Sequence, residues 1–120
     1  MAYMLLGWCL VACAGKEDKV ASPGDPVSEE MRQEIMTIVS DPDRAERAVE
    51  LSGELRAVFA DGLAHAERSL REFHALNLDY DTTEAEFKEF FNKFNVETLT
   101  RQQKALEIDS RMKAVLTPGE

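Results

Sequence analysis

His65 and His74 are the chain's two imidazoles and the first place to look for acid–base or metal chemistry. Nine residues apart on a helix they lie about half a turn out of register, so they face opposite ways and cannot share one metal ion. Asp61 stands four residues before His65 on the same face. That spacing serves either half a metal site or an ordinary helix-stabilising pair. Asp79, Asp81 and Thr83 alternate like the first ligands of a calcium loop, but Glu84 stands where the sharp turn needs glycine and Phe90 where the bidentate glutamate belongs. With Glu84, Glu86 and Glu89 the stretch is strongly acidic, and its acids fit the capping and solvation of a helix start. No Ser/His/Asp set, Gly-rich phosphate loop or basic-aromatic strip is present. The chain therefore reads as a non-enzyme with no expected cofactor and no metal ligand set. The alternative is a metal or ligand sensor using Asp61, His65 and the acidic tip.

The two cysteines belong to a different chemistry. Met1 to Ala12 holds no charged side chain and includes Leu5, Leu6, Trp8, Cys9, Leu10 and Val11, after which Gly15-Lys16-Glu17-Asp18-Lys19 turns polar. A spanning helix needs about 20 apolar residues, whereas a secretory core needs only about 7–15. Leu10-Val11-Ala12-Cys13 resembles the lipobox of bacterial lipoproteins at all four positions. The resemblance implies cleavage before Cys13, acylation of its sulfur and new amino group, and, with Ala14 next to it, sorting to an outer membrane facing the periplasm. Cys9 would leave with residues 1–12 and Cys13 would carry lipid, which removes disulfide, zinc and thiol-nucleophile chemistry. Met1-Ala2-Tyr3-Met4 lacks the basic residues usual at the start of a signal peptide. The competing reading of the segment is a helix buried against the domain.

The formal charge of -9 lies wholly beyond residue 12 and argues against a nucleic acid or an anionic lipid surface as partner. Ala, Glu, Leu, Arg and Lys dominate the rest, a helical composition sufficient for one domain. Residues 13–27, with Ser22-Pro23-Gly24-Asp25-Pro26, read as a lipidated cysteine and a flexible tether that spans roughly 20 Å as a random coil.

Residues 28–120 read as an all-α domain, a short helix followed by a long antiparallel helical hairpin. Ser28 before Glu29-Glu30 caps a first helix that ends near Ser40, and Asp41-Pro42 restarts the chain. From Pro42 to about Leu76 apolar residues recur at three- and four-residue steps in one long helix. Thr83 and Glu86 form a capping-box pattern for a third helix reaching about Leu116. Two long helices of similar length joined by a short turn fold back on each other. This register sets Phe87, Phe90, Phe91 and Phe94 against Ala66, Leu70 and Phe73 at a dry tip. It places Thr98, Arg101 and Ala105 opposite Gly62, Phe59 and Leu55 in a thinner, more polar seam, with Arg101 in reach of Asp61. Two helices cannot bury both sides of such stripes, so either the first helix crosses the arms or a second chain completes a bundle as a homodimer. Phe90 and Phe91 diverge by about 100°, which leaves part of the Phe87, Phe90, Phe91 and Phe94 cluster to a protein partner.

Leu99-Thr100-Arg101-Gln102-Gln103 resembles the Leu-Thr-x-x-Gln motif of the Spy/CpxP group of periplasmic proteins, and Leu116-Thr117-Pro118-Gly119-Glu120 resembles its second copy with Glu in the Gln place. The resemblance implies a small helical periplasmic protein, built on a long hairpin and often a cradle-shaped dimer, that binds unfolded clients or a sensor partner. The two stretches lie closer together here than in that group, and the first falls inside the third helix. The expected function is that of a membrane-anchored envelope lipoprotein acting by protein–protein interaction, chaperone-like or stress-related.

Overall fold

The computed structural model describes residues 26–120, which form three α-helices and, among the described residues, no strand. The stretch read as a signal segment, Cys13 and most of the stretch read as a tether lie outside the described residues. The order is α1 (Glu29–Ile38), α2 (Pro42–Leu78) and α3 (Glu84–Val115), with α2 packed on α3 as the all-α hairpin read from the sequence.

Each boundary has a local cause. Ser28 Oγ accepts from the Met31 amide at 3.2 Å and opens α1, whose first turn carries Glu29 and Glu30. Asp41 Oδ1 accepts from the Arg44 amide at 2.9 Å while Pro42 takes the first helical position, where its missing N–H is not needed. Between the long helices, Asp79 Oδ1 accepts from the Asp81 amide at 2.9 Å and the Thr82 hydroxyl donates to Leu76 O at 2.8 Å, closing the turn. The Thr83 amide donates to Glu86 Oε2 at 2.7 Å, and Thr83 Oγ1 accepts from the Glu86 amide at 3.3 Å. This reciprocal pair satisfies two amides that the first turn of α3 leaves open. It also holds the Glu86 carboxyl below its ordinary pKa.

α1 runs antiparallel to the start of α2. The Val27 side chain lies beside Gly53, Arg32 pairs with Glu46, and Val39 is buried at the bend between the helices. It packs on α2 at the open end of the hairpin and leaves the phenylalanines of the tip uncovered. Here the structure departs from the expected dry tip. The deepest core is Leu51, Val58 and Ile108, backed by Leu55, Ala105, Met112 and Val115. That end gains cover from α1 and from the turn after α3, whereas at the tip two helices have only each other among the described residues.

Polar links tie the arms in register. Arg101 Nε meets Asp61 Oδ2 at 2.6 Å, as the spacing suggested, and Arg111 grips Glu54 with bonds of 2.7 and 3.1 Å. Each arginine holds its carboxylate partner below the usual pKa. Exposed pairs of this kind are screened by solvent and serve mainly to choose the alignment. At the open end, Gly119 turns the chain with φ 103°, a left-handed conformation that glycine tolerates. The turn brings Glu120 back onto Arg44 through bonds of 2.6 and 3.2 Å, and Glu120 Oε2 also accepts from the Thr117 amide at 2.8 Å. The guanidinium and that amide pull the Glu120 carboxyl from its ordinary 4.5 to about 2.

Two outcomes follow from these contacts. Thr83→Ala removes the cap of α3 and is expected to lower stability by about 1 kcal/mol in urea unfolding; an unchanged midpoint would mean that the turn holds without it. Glu120 has its pKa depressed by folding, so its contribution is present above 4.5 and fades as the pH falls towards 2. Glu120→Gln should therefore melt at a lower temperature than the parent at neutral pH, with the gap closing over that acid range. A gap that persists in full at the acid end contradicts the clasp.

Candidate functional site

The residues of the sensor reading are drawn apart by other partners. Asp61 turns to Arg101, as described. His65 is buried at 6 % exposure, with Nδ1 2.8 Å from Glu97 Oε2 and its ring stacked on Phe94 at 5.2 Å. Its Nδ1 therefore carries the proton of the Glu97 bond. His74 is exposed. At the tip Glu86 is held by the capping box and Glu84 pairs with Lys88 at 2.6 Å. Among the described residues no three His, Cys, Asp or Glu side chains converge as a metal set.

The phenylalanine cluster is real but unevenly available. Phe73 of α2 sits among Phe87, Phe90 and Phe91, with ring centroids 5.8–6.2 Å apart, and Phe90 lies 5.2 Å from Phe91 in a T-shaped contact. Phe90 is buried in the seam, Phe87 and Phe94 are half-buried, and Phe91 stands 47 % exposed. Of the four residues expected to meet a partner, Phe91 offers the most surface and Phe90 almost none.

The larger apolar surface runs along one side of the hairpin, where α2 and α3 part around small side chains. A groove of about 460 Å³ lies between Phe59, Leu63 and Ala66 on α2 and Phe94, Thr98 and Ala105 on α3. A second hollow of about 270 Å³ continues it past Leu70 and Phe91 towards the tip, sharing Ala66 and Phe94. Gly62 faces the first hollow and puts no side chain into it. Phe59, Leu63 and Leu70 are each more than half exposed, and Leu99 and Leu106 on α3 are exposed as well. The opposite side between the arms is polar, lined by Arg68, Glu72, Lys93 and Glu97 beside His65 and Ser69. The hairpin thus has unlike sides, one suited to water and one to an apolar partner.

The seam beneath the groove is also the least satisfied part of the hairpin. His65 Nε2 and Thr98 Oγ1 are sealed from water with no hydrogen-bond partner among the described residues. Each such atom costs about 1–3 kcal/mol. Among the described residues, the Leu51–Ile108 end carries no comparable burden.

Sequence reasoning placed Phe59 and Leu70 in the seam between the arms and so missed them as surface. The signal was available: Val58 and Phe59 are adjacent and therefore about 100° apart, the same relation that separates Phe90 from Phe91. Val58 is buried and Phe59 is not. No family model matches the chain, and no curated protein or solved structure is significantly similar to it.

Proposed function

We propose that this chain is a membrane-anchored lipoprotein of the bacterial envelope that acts by binding protein segments in the apolar groove of its hairpin, as a chaperone-like or stress-related module. The observation that carries the reading is the uncovered apolar side itself, with Phe59, Leu63, Leu70 and Phe91 exposed along one line of grooves. A contiguous apolar surface of this kind is costly to leave in water and marks an interaction site. Its open form suits an extended or helical peptide better than a compact small molecule. A second copy of the chain is a further candidate partner.

The address rests on the lipobox resemblance of Leu10-Val11-Ala12-Cys13 and on the charged tether after it. Acylated Cys13 would hold the protein to the bilayer; among the described residues no helix is long and apolar enough to cross a membrane. The structure supplies no observation that favours a sensor built on Asp61, His65 and the tip acids, because those groups engage Arg101, Glu97, Thr83 and Lys88 instead.

Leu63→Asp and Phe91→Ser in the processed protein are each expected to weaken binding of a reduced, alkylated client protein at least tenfold, about 1.4 kcal/mol or more. Both positions are exposed, so far-ultraviolet circular dichroism should show the helical content retained. Binding equal to that of the parent would remove the groove from the function. The anchor has its own readout: Cys13→Ser should move the protein from the membrane to the soluble fraction, and continued membrane attachment would count against acylation. Calorimetric titration with zinc, copper, nickel and calcium is expected to show no stoichiometric site; a clear one would reinstate the sensor.

A further inference from the structure

We infer that the apolar side of the hairpin closes on a second copy of the chain, two hairpins stacking antiparallel into a four-helix bundle about a two-fold axis beside Leu63. The inference rests on the reading of this side as an interaction surface and names its occupant.

The exposed row of α2 complements itself when reversed. Phe59, Leu63, Ala66 and Leu70 share one side of the helix and line the two hollows. Laid antiparallel on its own copy with the crossing beside Leu63, the row sets Phe59 between Ala66 and Leu70 of the second copy and Leu63 against Leu63. Gly62 at the crossing contributes no side chain, and a Cβ there would meet nothing within 4 Å, so the backbones are free to approach.

The charges of α3 select a crossing by a separate route. Lys88, Asn95, Gln102 and Asp109 recur every seven residues on the flank of the groove that Gln102 lines. Glu84 pairs with Lys88 at 2.6 Å at one end of this flank, and Asp109 with Lys113 at 2.7 Å at the other. The outermost groups are therefore Glu84 and Lys113, and the inner ones Lys88 and Asp109. Reversal about a point between Thr98 and Leu99 brings Glu84 to Lys113 and Lys88 to Asp109 of the other copy, each pair occurring twice. The same reversal lays exposed Phe91 on exposed Leu106.

The two crossings coincide. Asp61 pairs with Arg101 and His65 with Glu97, so Leu63 stands level with Leu99 across the hairpin. One axis therefore serves the apolar row of α2 and the charges of α3 together, a match that an unrelated peptide has no cause to share. The other two-fold arrangement, with both tips at one end, carries the end of α3 onto α1, which already covers the start of α2. That cover reaches about Gly53, so the shared face runs from there to Phe73, roughly 30 Å along α2. Two helices wide, it buries on the order of 1,200 Å² in total, the lower edge of stable specific interfaces, and self-association in the micromolar range is expected.

Sedimentation equilibrium of the full chain carrying Cys9→Ser and Cys13→Ser, from about 1 to about 200 micromolar, should show a monomer–dimer equilibrium. Lys88→Glu and Asp109→Lys should each weaken the dimer at least tenfold, and the two together should restore most of the loss. Within one α3 these positions are 21 residues and roughly 32 Å apart, so their coupling reports contact between copies. Both side chains are exposed, and circular dichroism should show helical content retained in all three variants. A parent that stays monomeric, a dimer indifferent to the charge changes, or a double variant no better than the singles overturns the inference. A second measurement needs no charge change: in the same background, oxidation of Leu63→Cys should link two copies, whereas Arg68→Cys, on the polar side, should stay unlinked. Any other pattern contradicts the axis. A monomeric parent whose client binding is lost with Leu63→Asp overturns this inference alone, whereas a dimeric parent whose client binding survives Leu63→Asp overturns the functional reading alone.

Discussion

The structure depends on a mismatch between how much apolar surface α2 and α3 carry and how much two helices can hide. Each has an apolar band wider than the strip its partner covers, because neighbours such as Val58 and Phe59, or Phe90 and Phe91, point about 100° apart. In both pairs one member is buried and the other exposed. The hairpin satisfies one half of each band and presents the other half to its surroundings.

How the mismatch is handled changes along the hairpin. At the open end α1, the Gly119 turn and the Arg44–Glu120 clasp add a third layer, and Leu51 and Ile108 become fully buried. Towards the tip no third layer follows among the described residues, and the helices part around Gly62, Ala66 and Ala105 to leave the groove. Unpaired His65 Nε2 and Thr98 Oγ1 make that middle stretch the least favourable part of the seam. Buried core is thus concentrated towards one end, and exposed apolar surface along the rest of the hairpin.

The helices were legible in the sequence because their ends are set by local chemistry. Ser28, Asp41-Pro42 and the Thr83–Glu86 box each act within one turn, and all three cap as their residue types imply. The hairpin register was legible too, down to the Asp61–Arg101 pair. Burial was harder to read, because it depends on which third element lies over each stretch. α1 chose the start of α2, which moved the deepest core from the phenylalanines to Leu51 and Ile108. The same choice left Phe59 and Leu70, expected to face α3, at the surface. His65, which the sequence offered as half a metal site or an ordinary helix-stabilising pair with Asp61, is a seam residue held between Glu97 and Phe94.

The central claim is that the apolar side of the hairpin, and not its polar side, meets protein partners. A photoreactive amino acid placed at Leu63 and, separately, at Arg68 of the processed protein tests it most directly, since the two positions line opposite sides of the same hairpin. With a reduced, alkylated client protein present, crosslinks are expected from position 63 and not from position 68. Crosslinking from position 68 alone, or with equal yield from both, would contradict the account.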